Sequence, residues 1–288
     1  MNVARTPAEL EPFPRAVAIG SFDGVHRGHE AVVDTLLDTG LVATVVTFEP
    51  HPRAALGNRV ELLTTPDRKL ELLAELGVED TLVVRFDLEL ARLVPGEFVR
   101  RVLEPIGAEV VVAGENFRFG RGRSGDLQVL RTLGFDVRVA REVTGVSSTR
   151  IRELLAAREL EEAARLLGRP YELDGTVVAG DQRGGTLGYP TANLGVHPDL
   201  LVPPYGIYAG FARGHRAALS IGVNPHYGGH ERRIEPHLLD FDGDLYGQRL
   251  VVELWRYLRE ERAFESEQAL VDQIARDVEE TRTAERPG

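Results

Sequence analysis

The chain has 288 residues, 43% hydrophobic and 27% charged, and its 34 basic and 45 acidic residues give a formal net charge of -11. That length suits two domains with a core each. The composition excludes a disordered, fibrous or membrane-embedded chain, and so acidic a protein is a poor binder of nucleic acid.

Cysteine is absent, which removes disulfides, thiol nucleophiles, Cys-ligated zinc and iron–sulfur clusters. No apolar run approaches the ~18 residues of a membrane span. The opening MNVARTPAELEPFPR has no apolar leader region. A cytoplasmic protein without a membrane partner is expected. All the basic residues are arginines except Lys69, in the helical-looking DRKLELLAEL. A P-loop needs its lysine directly after glycine, so P-loop chemistry is excluded. Any nucleotide phosphate must be held by Arg, His, backbone N–H groups or a metal.

In chain order, AVAIG (16–20) predicts a buried strand ending in glycine, and 26–40 a helix stopped by Gly40. Strands follow at 41–48, 80–86, 108–114 and 135–140, with a helix over 67–77. Alternating strands and helices predict a parallel, helix-covered sheet, whose ligands bind beyond the carboxyl ends of the strands. A helix over 149–168 closes this half, and LGRPYELDG (167–175) reads as a connector. Beyond it, GTVVAG, YGIYAGF, AALSIGV, RIEPHLLDF and RLVVELWRYL are short strands punctuated by Gly, Pro and Asp, the pattern of a small antiparallel barrel. In the final helix, over 267–282, Leu270, Ile274 and Val278 form a stripe expected to pack on the barrel. The domain boundaries follow as 1–166 and 167–288.

Chemistry concentrates first in GSFDGVHRGHE (20–30), between a strand and a helix N-terminus, where free N–H groups and the helix dipole attract anions. Gly20, Phe22, Asp23, Gly24 and Gly28 form the turn, and the glycines permit close approach of a nucleotide. His26 and His29 are three apart, share a helix face and can both donate to phosphate. A capped helix with two surface histidines is the competing reading. A G-x-G-x-x-G at Gly120, Gly122 and Gly125 is a decoy, because Phe117–Phe119 separate it from the preceding strand and no helix opens on it. A mobile loop carrying Arg118, Arg121 and Arg123 is the expectation instead.

GSFDGVHRGH resembles the GxFDGxHxGH signature of the nucleotidyltransferase superfamily. With TFEPHP (47–52), VVAGENFRFGRGRSGD (111–126), SSTRIR (147–152), GDQRGGTLGYPTANL (180–194), SIGVNP (220–225), IEPHLLDF (234–241), DLYG (244–247) and LREERAF (258–264), nearly the whole chain is similar to the prokaryotic bifunctional riboflavin kinase/FAD synthetase family. The resemblance implies an α/β nucleotidyltransferase domain, Rossmann-like with its HxGH, followed by a small antiparallel β-barrel riboflavin kinase domain with a C-terminal helix. It implies two reactions: riboflavin with ATP gives FMN and ADP, and FMN with ATP gives FAD and pyrophosphate, with Mg²⁺ as the metal.

For adenylylation the resemblance implies His26 and His29 as the catalytic pair on the ATP phosphates, joined by Ser148, Thr149 and Arg152, while Thr149 also suits a helix N-cap. Asn116 and Phe119 match flavin-side positions, a polar contact and a stacking face, though Phe117 and Phe119 equally suit core anchors. His51 is a weaker contributor. For the kinase, Thr191 and Asn193 match the Mg-nucleotide positions, Glu235 the base for the ribityl hydroxyl, and Gly180, Arg183 and Gly188 the Gly-rich loop over ATP. Arg259 matches an arginine near the flavin.

The chain departs from the family pattern at Gly185, Tyr205, His226 and Tyr227, all around the kinase pocket. Two other readings follow: an adenylyltransferase with a weakened kinase, and a non-catalytic flavin-binding regulator. The oligomeric state is open.

Overall fold

Six parallel strands carry the first half of the chain in the computed structural model, which describes residues 1–179, 189–223 and 232–288. They are β1 (Asn2–Ala4), β2 (Arg15–Ile19), β3 (Val42–Glu49), β4 (Asp80–Arg85), β5 (Ala108–Ala113) and β6 (Asp136–Val139), in the order β1-β4-β3-β2-β5-β6. Period-2 alternation serves two cores. Val17, Ile19, Val46 and Val111 pack on one face, and Ala16, Ala18, Val45 and Val112 on the other. A sheet buried on both sides has to read as continuous apolar runs, as these strands do. From β2 the chain builds outward to β3 and β4, then returns to β5 and β6 on the other side. The strand order therefore reverses between β2 and β5, and the crevice beyond their carboxyl ends is the place for a ligand.

Helices α1 (Arg27–Leu37), α2 (Pro52–Ala55), α3 (Pro66–Glu75), α4 (Leu88–Arg92), α5 (Pro95–Phe98) and α6 (Leu127–Thr132) fill the connections. Arg15 begins β2 almost fully buried, its guanidinium donating to Asp80 (3.3 and 3.0 Å) and to the carbonyls of Glu11 and Ile106 (2.6 and 2.7 Å). It thereby ties β2, β4 and the turn before β5 together.

Contacts divide the chain into two units, Met1–Glu61 with Pro66–Val146, and Leu62–Thr65 with Ser147–Gly288. The second unit begins with α7 (Ser148–Ala156) and α8 (Leu160–Leu167). The single helix expected over 149–168 is thus two, broken where Arg158 adopts φ +64°. The expected connector 167–175 is largely strand: β7 (Tyr171–Val178) buries Tyr171 and Leu173, and the polar Asp174 is paired with Arg249 at 2.7 and 2.9 Å. With β8 (Asn193–Val196), β9 (Gly206–Ala212), β10 (His215–Val223), β11 (Arg232–Leu238) and β12 (Arg249–Arg259) it forms an antiparallel sheet in the order β11-β10-β9-β12-β7-β8. The Ala192 N–H donates to the Pro236 carbonyl (2.9 Å), which nearly closes it into a barrel. Leu62–Thr65 adds to this unit through Leu62 N–H to Asp199 O (2.6 Å), Leu201 N–H to Leu62 O (2.8 Å) and the Thr65 hydroxyl to Asp174 (2.5 Å).

The C-terminal helix α9 (Glu267–Thr283) docks differently from expectation. Its buried residues are the polar Gln273, Asp277 and Thr281. Arg259 grips Asp277 with two bonds (2.9 and 2.6 Å), Gln273 donates to Asp277 (2.9 Å), and Arg216 donates to the Thr281 carbonyl (3.0 Å). A satisfied polar network of this kind fixes one orientation where an apolar stripe would allow sliding. Leu270 and Ile274 instead wall a cavity.

Removing one partner of a buried ion pair strands the other. Arg15→Ala is expected to destabilise the first unit by about 3–5 kcal/mol. Urea unfolding followed by far-ultraviolet circular dichroism checks this, with the fluorescence of the sole tryptophan, Trp255, reporting the second unit separately.

Candidate active sites

The turn after β2 is strained at three successive bends. Phe22 (φ +49°), Gly24 (φ +87°) and Val25 (φ +39°) all lie in the left-handed region, which costs a β-branched valine most. Burial offsets this: Phe22 and Val25 are each 2% exposed, in the core beside α1. The turn delivers His26 as the N-cap of α1, its carbonyl accepting from the N–H groups of His29 (2.7 Å) and Glu30 (3.0 Å). The His26 N–H donates to His29 Nδ1 (3.2 Å), and the two rings stack with centroids 3.7 Å apart. An accepting Nδ1 leaves the His29 ring proton on Nε2, ready to donate. His26 is buried and His29 half-buried, backed by the Phe22 ring at 4.9 Å. A Cβ at Gly28 would come within 3.1 Å of the His26 ring and 3.8 Å of Val146. Gly28 is therefore what lets the stack form. Asp23, in the same turn, is buried.

Two neighbouring segments end at the same edge of the sheet. After β3, Glu49–Pro50 is cis, and His51 caps α2, its Nδ1 accepting from the Arg53 N–H (3.2 Å). After β5, Asn116 is exposed. Phe119 differs from the open stacking face expected of it: it is 7% exposed and packs edge-on to Phe98 (5.7 Å) and parallel to Phe117 (5.6 Å). A two-way backbone pair between Phe119 and Gly125 (3.0 and 2.9 Å) pinches the Arg121–Arg123 loop shut at its base, and a Cβ on Gly125 would strike the Phe119 ring at 2.5 Å. The G-x-G-x-x-G glycines thus close a hairpin-like loop, and α6 starts afterwards with Asp126 as its cap.

In SSTRIR the helix cap is Ser147, whose hydroxyl accepts from the Arg150 N–H (3.1 Å), and not Thr149. Ser148 and Arg152 are half-buried and Thr149 is exposed on the first turns of α7, in the second unit.

Among the described residues, two cavities open on the barrel. One, about 410 Å³, is lined by Thr191, Glu235, His237, Arg259, Glu261 and Phe264 among others. The second, about 310 Å³, is lined by Thr191, Pro236, Leu238, Asp242, Asp244 and Tyr246 among others. Strand alternation explains the pair: Glu235 and His237 leave β11 toward the first, Pro236 and Leu238 toward the second. Thr191 lines both. Arg233 lies 3.8 Å from the Glu235 carboxylate, and His237 Nδ1 donates to the Pro190 carbonyl (2.7 Å), bracing the segment that carries Thr191. Asn193 opens β8 two residues on, paired in register with Val178. Arg259 lines the first cavity with its guanidinium held by Asp277.

Glu261, on the wall of the larger cavity, was not foreseen as a site residue. Burial pushes the Glu261 carboxyl above the ordinary carboxylate range, despite the Ser220 hydroxyl donating to it at 3.4 Å. It sits inside the LREERAF segment, where neighbouring Arg259 drew the eye. Gly180, Arg183, Gly185, Gly188, His226 and Tyr227 lie outside the described residues. Tyr205 is exposed, with the Arg232 guanidinium 5.9 Å from its ring. No helix among the described residues is long and apolar enough to cross a membrane.

Residues 9–153 match the family model for FAD synthetase and 167–284 that for riboflavin kinase. A bifunctional riboflavin kinase/FMN adenylyltransferase of Listeria monocytogenes is 37% identical, over 96% of this chain and 94% of its own. The protein of the same description from Escherichia coli K12 is also 37% identical, over 96% and 93%. A solved Streptococcus pneumoniae structure, described as a macrolide-efflux protein, superposes with TM-score 0.88 at 30% identity, covering 98% of this chain and 99% of that one.

Gly28→Ala is expected to unstack His26 from His29. In histidine-labelled protein, the upfield ring-current shifts of both rings should collapse toward those of free imidazole.

Proposed function

Because this chain belongs to the family of bifunctional riboflavin kinase/FMN adenylyltransferases, we propose a division of that chemistry among its residues. The activities themselves are those of the family: riboflavin and ATP give FMN and ADP, then FMN and ATP give FAD and pyrophosphate. We assign adenylylation to 1–166 and phosphorylation to 167–288, which the two family matches support.

In the kinase half, the observation that carries the reading is Thr191 lining both cavities, with Glu235 on the wall of the larger. Riboflavin occupies the larger cavity and the nucleotide the smaller. The two then meet at Thr191. Glu235 takes the proton of the ribityl 5′-hydroxyl as its oxygen bonds to the γ-phosphorus and the bridging bond to ADP breaks. Arg259, locked by Asp277, holds the flavin side. Thr191 and Asn193 offer hard oxygen donors, a set that fits Mg²⁺ arriving with its nucleotide and waters. Held there with its nucleotide, Mg²⁺ would supply neutralisation of charge on the transferring phosphoryl group. Gly180, Arg183 and Gly188 are assigned to the nucleotide phosphates on the family pattern alone. A regulator that only binds flavin has no use for a carboxylate on that wall.

In the adenylylation half no protein nucleophile is needed. An FMN phosphate oxygen attacks the ATP α-phosphorus in line, and pyrophosphate leaves. His26, His29 and the Gly28 N–H at the head of α1 carry the developing charge, His29 through Nε2–H, while Gly20, Phe22, Asp23 and Gly24 shape the turn that presents them. Ser148, Thr149 and Arg152 are assigned to the ATP phosphates on the family pattern alone. Asn116 provides a polar flavin contact, and Phe119 supports it from beneath by anchoring the loop. Dependence on ATP supports a cytoplasmic setting.

Purified protein incubated with riboflavin, ATP and Mg²⁺ should form FMN first and FAD after it, separated chromatographically over time. FAD formation from added FMN alone would show a silent kinase. Glu235→Gln is expected to abolish FMN formation, a loss of about a hundredfold or more, while flavin still binds by fluorescence quenching. His29→Ala should remove FAD synthesis and leave FMN formation intact. With FMN formation assayed from riboflavin and FAD formation from added FMN, joint loss of both activities in either variant would overturn the two-site assignment.

A further inference from the structure

Lys69 is the one lysine among the 34 basic residues of this chain. A composition that uses arginine everywhere else keeps an ammonium at this position, on α3 beside the strained turn. Lys69 Nζ donates to the Thr47 hydroxyl (3.2 Å) and reaches the Ser21 carbonyl at 3.5 Å. The Thr47 hydroxyl, on a fully buried residue, itself donates to the same Ser21 carbonyl (3.1 Å). Three groups from β3, α3 and the turn thus converge on the peptide just before Phe22, where the left-handed run begins. Asp23 and Glu49 face the ammonium with negative charge and Arg5 with positive charge. A compact ammonium with rotatable donors suits such a corner, whereas a planar guanidinium imposes its own fork.

We propose that Lys69 is a positioning residue for adenylyl transfer: its charged ammonium pins the Ser21 carbonyl and neutralises Asp23, holding the turn that aligns His26 and His29. Burial pushes the ammonium below the ordinary lysine range, and Arg5 adds to this, against the opposing pull of Asp23 and Glu49. The sign follows. As pH rises, Lys69 loses its proton earlier than an exposed lysine, the charge opposing Asp23 disappears, and FAD formation falls on an alkaline limb.

Lys69→Met tests this. Its kcat for FAD formation is expected to drop by about a hundredfold, as misplacement of a reacting group does, with the KM for ATP little changed and FMN formation by the second unit intact. Its residual rate should lack the alkaline limb, and Lys69→Arg should move that limb upward. Because the lysine is unique, ¹⁵N-lysine labelling yields one ammonium resonance, whose titration should coincide with the limb in the unaltered protein. An unchanged rate and limb in Lys69→Met overturns the inference. So does a drop shared equally by both activities, or a resonance that titrates in the ordinary lysine range. If Lys69→Met fails to fold, an unmoved limb in Lys69→Arg overturns it as well. The inference rests on the assignment of adenylylation to this turn, and the two fail differently: if the assignment is wrong, His29→Ala still makes FAD, and if only the role of Lys69 is wrong, His29→Ala is defective and Lys69→Met is not.

Discussion

A phosphoryl group passes between two bound molecules only if both reach one point from opposite sides. On the proposed assignment, the period-2 alternation of β11 meets that demand with a single strand. Glu235 and His237 face one cavity, Pro236 and Leu238 the other. The near-closure of the barrel, through Ala192 N–H and Pro236 O, brings Thr191 to the shared wall. The polar docking of α9 completes the larger cavity, because Leu270 and Ile274 form its side only while Gln273, Asp277 and Thr281 fix the helix. A one-residue slip in β11 would exchange the lining of the two cavities. The hydrogen bond from His237 to Pro190 works against such a slip.

The first unit solves a different problem by a different means. Its strands are parallel and buried on both faces, so a ligand is met at their carboxyl ends, where the strand order reverses. There the chain must turn sharply from β2 into α1, and three left-handed residues make the turn at a cost of roughly 1–3 kcal/mol each for Phe22 and Val25. Stored strain of this kind persists only where surrounding packing over-determines it. Buried Phe22 and Val25 supply that packing, and Gly28 leaves room for the imidazole stack.

Much of this was legible in the sequence. Long β-branched runs announced the central strands, and the HxGH, PTAN and glutamate-strand motifs named the family that the comparisons then showed. What escaped notice did so for physical reasons. Strand β1 is three residues long, too short for any period, and Pro and Gly interrupt the helical turns between Leu88 and Ile106. The break at Arg158 is invisible because arginine carries no αL signature. The α9 stripe misled because apolar spacing at Leu270 and Ile274 can face a cavity as well as a core, while the residues that dock the helix are polar and become apt only once Arg259 is opposite them. Phe119 kept two readings in sequence, and its ring is buried against Phe98, Phe117 and the Gly125 backbone.

The four residues Leu62–Thr65 pack with the second unit although the chain on both sides of them belongs to the first. The two family matches, 9–153 and 167–284, are consecutive in the chain, yet the unit that holds the barrel is assembled from two separate stretches of it. Neither half is a cassette that can be cut out at one junction: a polypeptide beginning at Ser147 forfeits the backbone pairing of Leu62 with Asp199 and Leu201 and the Thr65 partner of Asp174. An ancestral fusion of two free-standing enzymes would therefore have needed more than end-to-end joining to reach this arrangement. Later gene fission would have to supply the barrel with a replacement for that borrowed segment.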